Sequence, residues 1–166
     1  LLSNSAGAYG VTISEHIVMV TLMLLRQMLP IHQYVSRRDW APIMPMRSIF
    51  GSRITVLGTG DIGTSFARRA KALGAKSVCG VRRTLKPADP AFDRIVTLSD
   101  LNSVLPDTDI LVMALPSTGK TTGVLNRERI ALLPPQAVVV NVGRGTAVDQ
   151  QALAEALIAG QIAGAA

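Results

Sequence analysis

A glycine-rich turn between an apolar segment and a run of helix-forming residues is the strongest chemical signal in this sequence. The apolar run Ile54–Leu57 predicts a buried strand, the residues Thr64–Leu73 predict a helix, and Gly58-Thr-Gly-Asp-Ile-Gly63 lies between them. In this setting the free backbone N–H groups and the positive end of the helix dipole face an anion, typically the pyrophosphate of a dinucleotide. A flexible loop is the alternative interpretation of the hexapeptide, but the strand and helix around it favour dinucleotide binding.

Each glycine of this turn has its own expected task. Gly58 allows the chain to turn tightly, and Gly60 lets the backbone approach the pyrophosphate. Gly63 lets the helix pack closely on the strand. The spacing therefore predicts three glycines with three different physical roles.

The residues after the second predicted strand bear on which nicotinamide cofactor would bind. A ribose 2′-hydroxyl calls for an acidic residue at this position, whereas a 2′-phosphate calls for arginine. Here Ser77–Val81 is followed by Arg82, Arg83 and Thr84, with no Asp or Glu. Guanidinium groups can hold a phosphate through paired, charge-assisted hydrogen bonds. We therefore predict a preference for NADP(H), with NAD(H) possible; two solvated surface arginines are the alternative.

Two further strand ends carry candidate site residues. In open α/β sheets ligands bind at the carboxyl ends of the strands, where Leu115–Pro116 and Asn141–Arg144 are expected. Pro116 and the backbone of Val142 and Gly143 would line the cofactor. Arg144 could hold the carboxylate of a small acid and polarise its neighbouring carbonyl oxygen. A surface arginine with no such role is the alternative on these grounds alone.

The elements that must position these residues alternate between strand and helix. Further strands are predicted at Ser77–Val81, Ile95–Val96, Ile110–Leu115 and Ala137–Asn141, and Ile162–Ala166 approaches one more. Helices are predicted to begin after the capping residues Ser99, Asn126 and Asp149. Alternation of this kind predicts an α/β fold, a Rossmann-type doubly wound parallel sheet that is incomplete at its C-terminal end.

Residues 1–52 precede this domain, which we place at residues 53–166. A helix is expected from about Val11 or Ser14 to Leu29, ended by Pro30. Because its apolar residues lie nearly all round, we expect it to be buried on most faces, between domains or subunits. Tyr34–Ser52 is a basic connector that either crosses the surface or packs on a partner subunit.

The composition narrows the class of protein. The chain has 166 residues, of which 48% are hydrophobic, 17% charged and 4% aromatic, and one cysteine, Cys79. These values favour an ordered core in a reducing, cytoplasmic setting. The net charge of +6 comes from scattered basic pairs with few aromatic residues, so we expect no nucleic acid. Ile17–Leu25 is too short to span a bilayer, and we expect neither a membrane nor a metal site.

Several of these motifs, taken together, match one known family. The matching pieces are Ser3-Asn-Ser-Ala-Gly7, Ser14-Glu-His16, the glycine turn, Leu115-Pro-Ser-Thr118 with Thr121 and Gly123, Val140-Asn-Val-Gly-Arg-Gly145 with Asp149, and Gly160-Gln-Ile-Ala-Gly164. In order and spacing they resemble the nucleotide-binding domain of the D-isomer-specific 2-hydroxyacid dehydrogenases. The resemblance covers nearly the whole sequence.

The resemblance implies hydride transfer between a nicotinamide and a small 2-keto or 2-hydroxy acid. It makes Arg144 the catalytic arginine that orients the substrate. It also places the following residues around the cofactor: Asp61, Ile62, Arg82, Arg83, Thr84, Leu115, Pro116, Thr121, Val142, Gly143 and Arg144. The first helix and connector resemble the family's interdomain and dimerisation region, so a homodimer is expected.

The same resemblance leaves the member of the family open. We expect a glyoxylate or hydroxypyruvate reductase, with an NAD-using phosphoglycerate- or formate-dehydrogenase-like enzyme as the alternative. A non-catalytic, dinucleotide-sensing corepressor is a further alternative, although Arg144 favours an enzyme. The family's catalytic glutamate and histidine, like its substrate domain, are expected outside this sequence. His16 and His32 are therefore interpreted as structural and surface residues.

Overall fold

A computed structural model describes residues 7–85 and 89–166, and it contains one parallel β-sheet. Most of the motif Ser3-Asn-Ser-Ala-Gly7 lies outside the described residues, as do residues 86–88. The six strands are β1 (Arg53–Leu57), β2 (Ser77–Arg82), β3 (Arg94–Thr97), β4 (Ile110–Met113), β5 (Val138–Asn141) and β6 (Gly164–Ala165).

The strands lie in the order β3-β2-β1-β4-β5-β6, and every neighbouring pair is parallel. This is the strand order of a doubly wound dinucleotide-binding fold, in which the order reverses between β1 and β4. The prediction of a Rossmann-type parallel sheet is confirmed. The approach to a further strand at Ile162–Ala166 is confirmed as β6, which has two residues.

The described helices are α1 (Gly10–Leu25), α2 (Met28–Ser36), α3 (Asp61–Ala72), α4 (Leu101–Val104), α5 (Arg127–Ala131) and α6 (Gln150–Ile158). Two of the predicted caps are confirmed. The Asn126 side chain accepts a hydrogen bond from the Arg129 N–H at 3.1 Å, and Asp149 accepts one from the Ala152 N–H at 3.0 Å. These bonds satisfy N–H groups that the first turn of a helix leaves free.

The predicted cap at Ser99 is wrong. A 3₁₀ turn begins before α4, at Leu98, and Thr97 is the residue that caps it. Thr97 and Asp100 form a reciprocal capping box, in which the Asp100 carboxylate accepts from the Thr97 N–H at 3.1 Å. The hydroxyl at position 97 takes the capping position because β3 ends there.

Apolar side chains cover both faces of the sheet. On one face α1 and α3 pack over Val56, Val112 and Val140, with Phe66 fully buried between helix and sheet. The helices α4, α5 and α6 contribute to a second cluster that includes Leu111 and Val139. Neighbouring residues of one strand thus point into different cores, as expected for a parallel strand buried on both faces.

The first predicted helix ends earlier than expected. It stops at Leu25 instead of Leu29, and Gln27 adopts the left-handed conformation with φ of 56°. The helix α2 then leaves at an angle of 68° to α1. Pro30 lies in the first turn of α2, where the missing N–H costs no intrahelical hydrogen bond. Pro30 therefore lies in the first turn of a second helix instead of ending the first.

Within this chain α1 is buried along one stripe and not on most faces. The stripe consists of Gly10, Ser14, Ile17, Thr21 and Leu25. Outside the stripe, about half of the Val11 and Met19 surface is exposed. In the described part of the chain, no single helix is both long enough and apolar enough to cross a membrane. The bent pair of α1 and α2 meets these two criteria only when both helices are counted together.

Candidate functional site

The carboxyl ends of four neighbouring strands meet at one edge of the sheet. Leu57 at the end of β1 is in register with Val81 of β2 and Met113 of β4, and Met113 is in register with Asn141 of β5. Backbone hydrogen bonds extend this alignment into the turns that follow. The Gly58 N–H donates to the Val81 carbonyl at 2.9 Å. The predicted site residues therefore start from adjacent points along this edge.

The geometry of the glycine turn agrees with the tight turn predicted at Gly58 and the close packing predicted at Gly63. Gly58 has a φ of +99°, and a Cβ there would lie 2.6 Å from the carbonyl oxygen of Ala114. Gly63 is buried against the strand end, where a Cβ would overlap the carbonyl oxygen of Gly58. Gly60 differs from both, because a Cβ there would meet nothing within 4 Å. Space is thus left open at Gly60, the position that should face a pyrophosphate.

The N-terminus of α3 opens onto the same space. Gly60 is its N-cap, and no described side chain caps this helix. The first N–H groups of α3 and its positive dipole end are thus available to an anion. A dinucleotide pyrophosphate fits this helix end, as the open space at Gly60 also indicates.

The two residues between Gly60 and Gly63 are divided between the surface and the core. Asp61 is exposed, and its carboxylate lies against Gly10 at the start of α1, where a Cβ would overlap it. Its charge is in the first turn of α3 but is turned toward another helix. Ile62 is half-buried and packs on the core beneath the turn. Next to the glycine turn, Asp61 therefore contacts α1 and Ile62 contacts the core.

Arg82, Arg83 and Thr84 leave the sheet next to the glycine turn. Arg82 is the last residue of β2 and is half-buried, whereas Arg83 and Thr84 are exposed beyond the strand. Among the described residues, neither arginine has a carboxylate partner within ion-pair distance. Both guanidinium groups are thus available to an anionic ligand.

The loop after β4 is held by a buried hydroxyl. Leu115 is half-buried and Pro116 is exposed at the start of this loop. The Thr121 hydroxyl donates to the Pro116 carbonyl at 2.6 Å and accepts from the Thr118 N–H at 2.9 Å. Only 7% of Thr121 is exposed. Its hydroxyl is therefore engaged in closing the loop on which Pro116 stands.

The segment after β5 carries the candidate catalytic arginine. Val142 is half-buried, and a Cβ on Gly143 would lie 2.6 Å from the carbonyl oxygen of Leu115. This close approach brings the loops after β4 and β5 together. Arg144 is exposed, and its guanidinium donates to the carbonyl of Gly143 at 3.0 Å. The charged end of Arg144 thus lies on the surface at the carboxyl edge of the sheet.

Asn141, a residue of this segment to which the sequence reasoning gave no role of its own, forms two hydrogen bonds here. The Asn141 side chain accepts a hydrogen bond from the Gly143 N–H at 3.0 Å and donates one to the Arg144 carbonyl at 3.1 Å. Its place at a strand end was visible in the sequence. The bonds were not, because they depend on how the chain turns after β5.

A cavity of about 340 Å³ lies at the opposite, amino-terminal edge of the sheet. Its lining includes Arg53, Cys79, Arg94 and Asp107, and none of the predicted site residues. Burial raises the pKa of the Cys79 thiol, an effect that the charge of Arg94 partly opposes. Among residues 7–85 and 89–166, no group of three His, Cys, Asp or Glu side chains could hold a metal ion.

Residues 18–166 match the family model of the D-isomer specific 2-hydroxyacid dehydrogenase, NAD binding domain. The chain belongs to this family. The glycine turn and the strand order are therefore those of an NAD(P)-binding dehydrogenase domain.

Individual dehydrogenases of the family show what this chain is similar to. It is 37% identical to a glyoxylate reductase of Thermococcus onnurineus over 76% of this chain and 37% of the relative. It is 30% identical to formate dehydrogenase 2, mitochondrial, of Oryza sativa subsp. japonica over 98% of this chain and 44% of the relative. The chain thus spans less than half the length of these two curated relatives.

A solved structure extends the similarity to three dimensions. The D-isomer specific 2-hydroxyacid dehydrogenase of Xanthobacter autotrophicus Py2, in complex with NADPH and MES, is 30% identical with a TM-score of 0.85. The similarity covers 99% of this chain and 67% of that one. The fold described above is therefore shared with a structure that binds a nicotinamide cofactor.

Proposed function

We propose that the protein carrying this chain reduces a small 2-keto acid with NADPH, and that glyoxylate or hydroxypyruvate is its substrate. One observation carries the proposal: an uncapped helix terminus and an exposed arginine lie along the same sheet edge. The first suits the cofactor's pyrophosphate, and the second suits the carboxylate of the substrate. The similarity to a glyoxylate reductase supports this choice of substrate.

The cofactor, when bound, supplies the hydride. The residues of this chain would bind the cofactor and orient the substrate. The N–H groups at the start of α3 would hold the pyrophosphate, and the turn around Gly60 leaves room for it. Pro116, Val142 and Gly143 would line the cofactor along the strand ends.

Arg144 would be the catalytic residue that this chain contributes. Its guanidinium can bind the substrate carboxylate through two parallel hydrogen bonds. It would also stabilise negative charge that develops on the keto oxygen as the hydride arrives. The proton that completes the alcohol is expected from the family's histidine, paired with its glutamate, outside these residues.

The preference for NADPH rests on the end of β2. Arg82 and Arg83 have no carboxylate partner among the described residues, so a 2′-phosphate would meet two available guanidinium groups. Thr84 could add a hydroxyl to the same phosphate. The NADPH complex of the Xanthobacter autotrophicus relative supports this preference.

The proposal includes a homodimeric assembly and a cytoplasmic location. We expect a homodimer through α1, α2 and the connector that follows, since Trp40, Ile43 and Phe50 are more than three quarters exposed there. The residues before β1 would then form the interdomain and dimerisation part of the protein. The single Cys79 agrees with a reducing, cytoplasmic compartment.

An NAD-using enzyme is the second candidate. The similarity to a formate dehydrogenase over 98% of the chain favours it. In that case the arginines after β2 would be solvated and would not discriminate between the two cofactors.

Parallel assays of the intact protein test the proposal. NADPH and NADH oxidation would be followed with glyoxylate and with hydroxypyruvate, and NAD reduction with formate, for the parent protein and for Arg144→Ala. For the parent protein we expect turnover with a preference for NADPH. In the Arg144→Ala variant we expect the turnover rate to fall at least about 100-fold. Cofactor binding without turnover of any acid would point instead to a dinucleotide sensor.

A further inference from the structure

We propose that Asn141 is a positioning residue that holds the backbone of Arg144 in its reactive place. The inference rests on the proposed function, since it assigns Arg144 the task of orienting the substrate. Asn141 would touch neither substrate nor cofactor. It acts through the turn between β5 and the catalytic arginine.

The Asn141 carboxamide bridges both sides of this turn. Its Oδ1 accepts from the Gly143 N–H at 3.0 Å, and its Nδ2 donates to the Arg144 carbonyl at 3.1 Å. A second donor, the Ala147 N–H, reaches the same carbonyl at 3.1 Å. The backbone on both sides of the Arg144 amide is thus tied to the side chain of a strand residue.

The anchor itself is rigid because Asn141 belongs to the sheet. It is in register with Met113 of β4, and its own N–H donates to the Ala166 carbonyl at 2.8 Å. The next residue is fixed as well, since the Val142 N–H donates to the Met113 carbonyl at 3.0 Å. The Asn141 carboxamide therefore fixes the turn relative to the sheet. Without it, only backbone hydrogen bonds would determine the position of the turn.

Close packing leaves this turn little freedom in one direction. Gly143 approaches the Leu115 carbonyl so closely that no side chain fits between them. Without the Asn141 bonds, the turn can move only away from the β4 loop, toward solvent. The Arg144 side chain is exposed, and among the described residues its guanidinium donates only to the neighbouring Gly143 carbonyl. Such a movement of the turn would therefore carry the guanidinium with it.

Asparagine suits this task better than aspartate. An acceptor faces the Gly143 N–H and a donor faces the Arg144 carbonyl, so the two ends of the side chain must differ. An ionised aspartate would keep the first bond and set a negative oxygen against the carbonyl. When protonated, its O–H could donate to that carbonyl and restore the second bond.

The test uses Asn141→Leu and Asn141→Asp in the intact protein, with Asn102→Leu as the matched control. Asn102 is an exposed residue of α4 whose Oδ1 accepts from Arg129. Steady-state kinetics with the 2-keto acid would be combined with NADPH binding and with amide hydrogen exchange of residues 142–146. We expect kcat to fall about 10- to 100-fold in Asn141→Leu, since a displacement of about 1 Å can have this effect.

Cofactor affinity should change less than about threefold in Asn141→Leu, and hydrogen exchange of Gly143 should accelerate. The kcat of Asn141→Asp relative to the parent should rise as pH is lowered and the new carboxyl is protonated. A purely structural role would lower stability without this pH-dependent recovery. Faster exchange with an unchanged kcat would overturn the inference alone. A parent protein without turnover of any 2-keto acid would overturn the proposed function, and the inference with it.

Discussion

Gly63 lies so close to the carbonyl oxygen of Gly58 that no side chain can stand between them. This contact joins the first turn of α3 to the end of β1. It sets how near the helix N-terminus comes to the sheet edge. Because residue 63 has a hydrogen atom in place of a side chain, the N-terminus of α3 can lie this close to the end of β1.

We expect Gly63→Ala to destabilise the protein by about 1 to 3 kcal/mol, because a methyl group would force the helix away from the strand. Urea unfolding of parent and variant measures the difference. Cofactor affinity should fall as well, since the N–H groups of α3 would move. Unchanged stability of the Gly63→Ala variant would show that the backbone here adapts freely.

Gly60→Ala separates binding from stability at the same turn. A Cβ at Gly60 meets no protein atom within 4 Å, and its extended backbone suits alanine. We expect a change in unfolding free energy within about 1 kcal/mol. Cofactor affinity, measured by the fluorescence of bound NADPH, should fall at least about tenfold, because the methyl group occupies the space left for the pyrophosphate. If the affinity of the Gly60→Ala variant for NADPH were unchanged, the pyrophosphate would not bind next to Gly60.

Replacing both Arg82 and Arg83 by alanine should reverse the cofactor preference. Hydrogen bonds to a charged group contribute about 1.5 to 3 kcal/mol, so NADPH affinity should fall about 10- to 100-fold. NADH affinity should change less than about threefold. Arg127→Ala is the control for loss of positive charge, because it removes one charge from a surface pair with Glu155, away from the end of β2. Equal losses for the two cofactors would count against recognition of a 2′-phosphate.

Thr21→Val should stabilise the protein. The Thr21 hydroxyl is fully buried in α1, and it has no hydrogen-bond partner among the described residues. Replacing it by a methyl group removes the cost of an unpaired polar atom, about 1 kcal/mol. Thr108→Val is the matched control: its buried hydroxyl donates to the Val104 carbonyl at 2.8 Å, so this variant should lose stability. A destabilised Thr21→Val protein would mean that the hydroxyl has a partner in solution.

The Asp109 carboxylate should make stability depend on pH. Burial alone would raise its pKa, but hydrogen bonds from the Arg53 side chain and N–H outweigh burial and lower the pKa below its ordinary value of 3.8. A lowered folded-state pKa gives a contribution that is complete above the ordinary value and is lost as pH falls toward the folded-state pKa.

Thermal unfolding between pH 7 and pH 2 tests this contribution. Asp109→Asn should be less stable than the parent at pH 7 by about 1 to 2 kcal/mol, because Arg53 loses an ionised partner. The difference should shrink as pH falls below the ordinary carboxyl pKa. Asp107→Asn is the control, since the Asp107 side chain is 77% exposed and such surface pairs contribute at most about 1 kcal/mol. A constant difference across this range would contradict the lowered pKa.

Local sequence patterns were sufficient for most of the fold. The buried strands around Val56, Val112 and Val139 are short apolar runs, and the caps Asn126 and Asp149 stand directly before helical residues. The turn at Gly58 needs a residue that tolerates positive φ. These features depend on residues close together in the chain, so the sequence alone predicts them.

Long-range packing decided the features that the sequence did not predict. Leu25 packs into the core, Arg26 is exposed and Gln27 adopts the left-handed conformation, so α1 ends before Pro30. The burial of one α1 stripe depends on α3 and the sheet, whose apolar residues lie far along the chain. A helix with apolar residues on all sides contains no local signal for the side that its own domain covers.

The sequence by itself determined the family motif, the parallel sheet and the edge at which its site residues lie, because these follow from the types and spacing of near neighbours. The tertiary structure decided the atoms that meet at that edge. Only there does the Asn141 carboxamide reach the backbone of Arg144, and only there does the Thr121 hydroxyl close the loop of Pro116. Such contacts depend on distances of about 3 Å, and the course of the folded chain sets those distances.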